Sequence, residues 1–224
     1  METSVTGFTL FELFRMGGIF MWPLLFFSIV AVTITVERTI YLLYHNLKLD
    51  DLKEKTERAI QKDNLEETRK YLNGLTKRRM GARILLTLVE RQKLSEYRIE
   101  KAVEAEALDC ISSLENGFNF LTALGSLSPL TGFLGTVSGM IGAFKSISEA
   151  LDVNAQIVAS GIYEALITTV FGLVIAIVAM SAHSIFTHIV DKFASDVEIT
   201  CSDLINTLSE SGRIGNSASK ENEH

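Results

Sequence analysis

The 224-residue sequence is short of several things, and each shortage removes a class of function. It has only two cysteines, Cys110 and Cys201, and neither has a metal-ligand neighbour at useful spacing. A disulfide framework or zinc site is therefore not indicated, and both cysteines read as small helix-packing residues. The net charge is −6, with basic residues interleaved among acids, so there is no nucleic-acid footprint. No nucleophile elbow, Walker loop, CxxC or HExxH occurs. No hydrolytic active site, metal or cofactor is expected, and the chain does not read as an enzyme. The start, METSVTGFTLFELFRMGG, lacks a basic n-region and a small-residue cleavage site, which argues against a cleavable signal.

Charge itself is missing from three runs. Residues 17–36 and 116–144 carry none, and 165–190 carry none apart from His183 and His188. About 20 apolar residues at 1.5 Å per residue cross the hydrocarbon of a bilayer. The expected fold class is an all-α integral membrane protein, with three transmembrane helices and long cytoplasmic helical extensions. The expected organisation is an outer-face interfacial segment over 1–16 and a first span over 17–44. A cytoplasmic helical region follows over 45–115, then a second span over 116–146 and an outer loop over 147–157. The third span covers 158–184, a cytoplasmic extension 185–210, and a disordered tail 211–224.

Trp22 marks the headgroup level at the outer end of the first span, and Pro23 is tolerated in a helix's first turn. Glu37 and Arg38 near its other end read as a membrane-edge anchor. Upstream of this span lies only Arg15, whereas Arg38, Lys48, Lys53, Lys55 and Arg58 follow it. That bias places the N-terminus outside and 45–115 inside. No proline falls in 45–115. Asp63 and Glu66 resemble a capping box for a helix through Leu72, ended by Asn73-Gly74. Ser95 and Glu96 open another, with Ile99, Val103, Ala107, Cys110 and Leu114 on one stripe. The spacing predicts one continuous helix from Ser95 to Ile147, roughly 75–80 Å long. Phe193, Val197, Cys201, Leu204 and Leu208 make a similar stripe beyond the third span.

Two segments carry the candidate chemistry. In the second span Gly132, Gly135, Gly139 and Gly142 share a face, and small residues at that spacing let helix backbones approach closely, so the face is expected to pack a neighbouring subunit or a partner helix. Ser128, Gly132 and Thr136 continue it as a weakly polar stripe. In the third span Glu164 is the only formal charge between Asp152 and Asp191. A carboxylate at such depth costs about 2.5–3.5 kcal/mol on insertion scales, and residues kept at that cost commonly mark ion or proton routes. Ser160, Glu164, Thr168, Phe171, Gly172 and Ile175 lie on its side of the helix, with Thr169 about 140° away. His183 and His188 read as interfacial polar residues, although a histidine is also able to relay protons.

These residues resemble a known family. PLTGFLGTVSGMIGAF (129–144) is similar to the second-helix signature of the TolQ/ExbB/MotA proton-channel family. GIYEALITTVFGLVIAI (161–177) is similar to its third-helix signature, and VERTIYLL (36–43) resembles the Glu-Arg ending of its first helix. The resemblance implies a homo-oligomer, a pentamer, in the bacterial inner membrane around a central pore. That pore holds single-span ExbD/TolR-like partners and couples an ion gradient to a TonB/TolA-like protein. It places Glu164, Thr136 and Thr169 on the ion path, and Thr168 joins them from the stripe alone. Val178 stands where the family commonly has Pro, and Ala182-His183 where it has Tyr-Asn. Three spans rather than four argue against a flagellar stator subunit. The competing reading is an oligomeric membrane scaffold that conducts nothing.

Overall fold

The computed structural model describes residues 14–62, 65–149, 155–212 and 214. The expected surface helix over 1–16 falls almost wholly outside the described residues, as do Asp63, residues 150–154 of the expected loop and most of the tail. Among the described residues the regular structure is helical, with no strand. The helices are α1 (Met21–Tyr44), α2 (Asp50–Lys62), α3 (Leu65–Leu75), α4 (Met80–Arg91), α5 (Glu96–Glu115), α6 (Phe118–Glu149) and α7 (Ala155–Glu210). Among the described residues three stretches are long and apolar enough to cross a membrane: α1, part of Glu96–Glu149 and part of Ala159–Glu210.

Local chemistry accounts for several helix ends. Pro23 occupies the first turn of α1, where a missing N–H costs nothing. Asp50 and Asp51 open α2, and Glu66 and Glu67 open α3, each placing negative charge at the positive end of a helix dipole. Ser95 precedes α5 in an extended conformation, φ −63° and ψ 151°. α3 runs through Asn73 and Gly74 to Leu75, three residues past the predicted last residue, Leu72.

The described residues divide into two compact units. One comprises the chain up to Glu37 together with Gly117–Ile185. Its interior holds Met21, Leu24 and Ala31 of α1, Leu121 and Leu124 of α6, and Ala165, Ile175 and Ala179 of α7. Phe26, Ile29, Phe133, Val170 and Ile177 on the opposite faces are each more than half exposed. So much apolar surface is a liability in water and the expected exterior in lipid, where backbone polar groups are satisfied within each helix.

The other unit comprises Arg38–Asn116 and the chain from Phe186 onward. Leu52, Ile60, Leu72, Ile84, Leu85, Leu88, Ile99 and Leu114 are fully buried there. Both predicted stripes face inward: Ile99, Val103, Cys110 and Leu114 are buried, as are Phe193, Val197, Cys201, Leu204 and Leu208. Ala107 is half-buried. Ion pairs lie around this core. Arg83 reaches Glu106 and Asp109, each at 2.6 Å, and Lys53 reaches Asp203 at 2.5 Å.

One expectation is corrected, and one residue has an environment that the sequence did not foretell. The continuous Ser95–Ile147 helix is interrupted: α5 stops at Glu115 and α6 starts at Phe118. Gly117 between them has φ 89°, a left-handed conformation that glycine adopts without steric penalty, so Asn116-Gly117 is the breaker. Arg38, expected as an anchor at the membrane edge, is buried. Its guanidinium donates to the Ser113 carbonyl at 3.2 Å and lies 4.9 Å from the centre of the Tyr41 ring. The physical reason is the end of α5, whose last carbonyls have no intrahelical partner and attract a cation. Beyond the third span the predicted extension is present, since α7 is one helix of 56 residues, about 84 Å long.

Candidate functional site

The candidate site grows from the glycine face of α6. Gly132 packs so closely on α7 that a Cβ there would stand 2.8 Å from the Thr168 carbonyl oxygen and 3.0 Å from Thr169 Cα. The approach is reciprocal, for a Cβ on Gly172 would stand 2.5 Å from the Ser128 carbonyl oxygen. Hydroxyls reinforce this contact. Thr168 Oγ1 lies 2.7 Å from the Ala165 carbonyl oxygen and 3.2 Å from that of Gly132, and Thr169 Oγ1 donates to Gly132 at 3.1 Å. Small side chains and interhelical hydroxyl bonds hold helices together in lipid, where no hydrophobic force acts between them.

Gly132, Gly135 and Gly139 therefore meet the chain's own third span, at Thr168, Thr169, Ala165 and Gly161. Helix periodicity shows that a face is small but not which helix fills it. Gly142 is the exception, with open space where its side chain would be.

That open space belongs to a groove of about 300 Å³. Gly135, Ser138, Gly139, Gly142 and Ser146 of α6 form one wall, and Gly161 and Glu164 of α7 form another. Gly17, Ile19 and Phe20, in the turn ahead of α1, also line it. Glu164 is half-buried there, and no cation pairs with it among the described residues. Its carboxylate lies against Gly18, whose φ of 64° and lack of a side chain let the turn pass over it. An acidic group opening on a polar groove among helices is able to meet water, a hydronium ion or a metal cation. A carboxylate facing lipid has none of these.

The other sequence candidates are distributed around this groove. Thr136 lies about 100° round the helix from Gly135 and does not line it. Its hydroxyl donates to the Phe133 carbonyl at 2.6 Å. Thr168 is buried in the α6–α7 contact rather than open to the groove, and Thr169 is half-buried beside it. Trp22 is 65 % exposed, edge-on to Phe14 at 5.4 Å, and Glu37 is exposed. His183 meets Phe118 edge-on at 6.0 Å. Ser138 and Ser146 were missed. They stand four residues either side of Gly142, a helical spacing that identifies them as groove residues in retrospect.

The fold and groove define a class of protein: a multi-span helical membrane protein with a sheltered acidic side chain. Comparison with known proteins sharpens this. A family model described as the MotA/TolQ/ExbB proton channel family matches residues 63–199, and the chain belongs to that family. It is 32% identical over 174 residues to the putative biopolymer transport protein ExbB-like 1 of Synechocystis sp., covering 76% of this chain and 68% of that one. It is 28% identical over 189 residues to the biopolymer transport protein exbB1 of Vibrio cholerae, covering 82% and 81%. A 74-residue stretch is 47% identical to the Tol-Pal system protein TolQ of Haemophilus influenzae, covering 33% and 32%.

Proposed function

We propose that this chain is the pore-forming subunit of an ion-gradient-driven motor in the bacterial inner membrane. It energises biopolymer transport or envelope maintenance, in the manner that the names of its relatives indicate. It assembles as a homo-oligomer, a pentamer, around the single span of an ExbD/TolR-like partner, and its work reaches a TonB/TolA-like protein. The N-terminus lies in the periplasm, and residues 45–115 and the C-terminus lie in the cytoplasm. The observation that supports this most is Glu164 opening on the polar groove beside Ser138 and Gly142. In this reading Glu164 receives and releases the ion. Ser138 and Ser146 hold water beside it, and Thr136 serves the lumen from a different face of α6. Thr168 and Thr169 keep the two spans in register.

Ion uptake into liposomes tests the proposal, using the full chain with its co-encoded single-span partner and an imposed gradient. Uptake is expected to fall to background for Glu164→Ala and to drop for Thr136→Val. Unchanged uptake in both variants rejects these roles. The satisfied hydroxyls of Thr168 and Thr169 are also what a non-conducting scaffold requires. That reading predicts no gradient-dependent uptake by the unaltered assembly.

A further inference from the structure

A second cluster of side chains takes no part in the groove. Tyr44 is the last residue of α1, so the chain leaves its first apolar span there. The residues after it are fastened to the turn between α3 and α4. Asn46 N–H donates to the Arg78 carbonyl at 3.2 Å. Arg79 grips both carboxylate oxygens of Asp51, at 2.5 and 2.6 Å, and donates to the Lys48 carbonyl. Arg79 is thus occupied by the clamp. Lys48, Lys77 and Arg78 are all exposed, and none pairs with an acid among the described residues. Arg78 lies 5.9 Å from the centre of the Tyr44 ring, which is 57% exposed. On the same last turns of α1, Ile40 and Leu43 are 62% and 80% exposed.

Three exposed cations without an acidic partner among the described residues, one of them beside an exposed tyrosine at the point where a span ends, match one ligand chemistry. The cations suit a phosphate, the tyrosine ring suits the headgroup level, and the bare aliphatic turn suits an acyl chain. We propose that this junction is a binding site for an anionic phospholipid, its phosphate held by Lys48, Lys77 and Arg78 and its chains lying along Leu43 and Ile40. The proposal requires only that α1 crosses a bilayer and stands apart from ion conduction. A flexible basic tail would attract anionic lipid diffusely, whereas the Arg79–Asp51 clamp gives these cations one geometry. Each cation near a membrane surface strengthens such attraction roughly five-fold.

Native mass spectrometry of the detergent-extracted full-length assembly tests it, with phosphatidylglycerol or phosphatidylcholine added at equal concentration. The unaltered protein is expected to retain phosphatidylglycerol preferentially. The triple variant Lys48→Gln, Lys77→Gln, Arg78→Gln is expected to lose that preference by roughly 100-fold. A control removing the same charge elsewhere, Lys70→Gln, Arg91→Gln, Lys93→Gln, is expected to keep it. Asp51→Asn loosens the clamp while making the junction more positive, and its preference is expected to fall. Equal loss in the control, or a rise in Asp51→Asn, would mean diffuse attraction and would overturn the site. Displacement of the lipid by millimolar inorganic phosphate would mark a soluble-anion site and overturn the lipid assignment.

Discussion

The two units of this protein are both helical, yet they are held together by opposite means. Around α6 and α7 the contacts are made by absence: glycines let two backbones meet, and threonine hydroxyls bond across the gap. In the unit built on α2 to α5, large aliphatic side chains fill the centre and ion pairs surround it. The difference follows from the solvent. In water, burying a Leu or Ile contributes about 1.5–3 kcal/mol, so large side chains make stable cores. In lipid that gain vanishes, and close packing with satisfied polar groups takes its place. The groove exists because the same small residues that allow contact also leave space where contact stops, at Gly142.

Substitutions sharpen this comparison when matched across the two units. The largest effect is expected for Leu85→Ala, which empties a fully buried site and should cost about 2–5 kcal/mol in the unfolding of the purified protein. Gly132→Ala adds a single carbon, yet it meets backbone atoms that cannot turn aside. It should cost about 1–3 kcal/mol and reduce ion uptake, read by thermal melting and liposome assay together. If Gly132→Ala were neutral while Leu85→Ala was severe, the contrast between the two packing modes would fail.

Gly74→Ala, inside α3 with open space around it, is expected to stabilise by about 0.5–1 kcal/mol. Gly142→Ala is expected to leave stability within about 0.5 kcal/mol while narrowing the groove, so its uptake should fall without a shift in melting. The smallest effect concerns pH. Asp51 titrates below its ordinary 3.8 because it accepts hydrogen bonds from Arg79. A depressed folded-state value contributes stability above the unfolded value, and that contribution is lost as pH falls through the folded one. Melting of the unaltered protein should exceed that of Asp51→Asn near pH 6, and the gap should close on acidification below 3.8.

Legibility in the sequence was uneven for physical reasons. Uncharged runs and three-to-four spacing revealed the spans and the buried stripes, because burial and membrane insertion select residue type locally. The Asn116-Gly117 break was legible in principle but overlooked, since an apolar stripe continued on both sides of it. Ser138 and Ser146 escaped notice because hydroxyls are common in such helices and only the groove distinguishes them. The burial of Arg38 was not legible, because one partner it meets there, the Ser113 carbonyl, is 75 residues away in the chain.

By itself, then, the amino-acid order determined that this is a membrane helix protein of the MotA/TolQ/ExbB family with one acid, Glu164, within its third span. The spans depend on composition and periodicity within single segments, and the family on the motifs that its second and third spans carry. Only the tertiary structure decided that the glycine face meets the chain's own third span, that Glu164 opens on a groove beside Gly142, and that Arg79 clamps Asp51. Each of these depends on which helix face meets which. Periodicity defines the face of a helix, and only the packed fold supplies its partner.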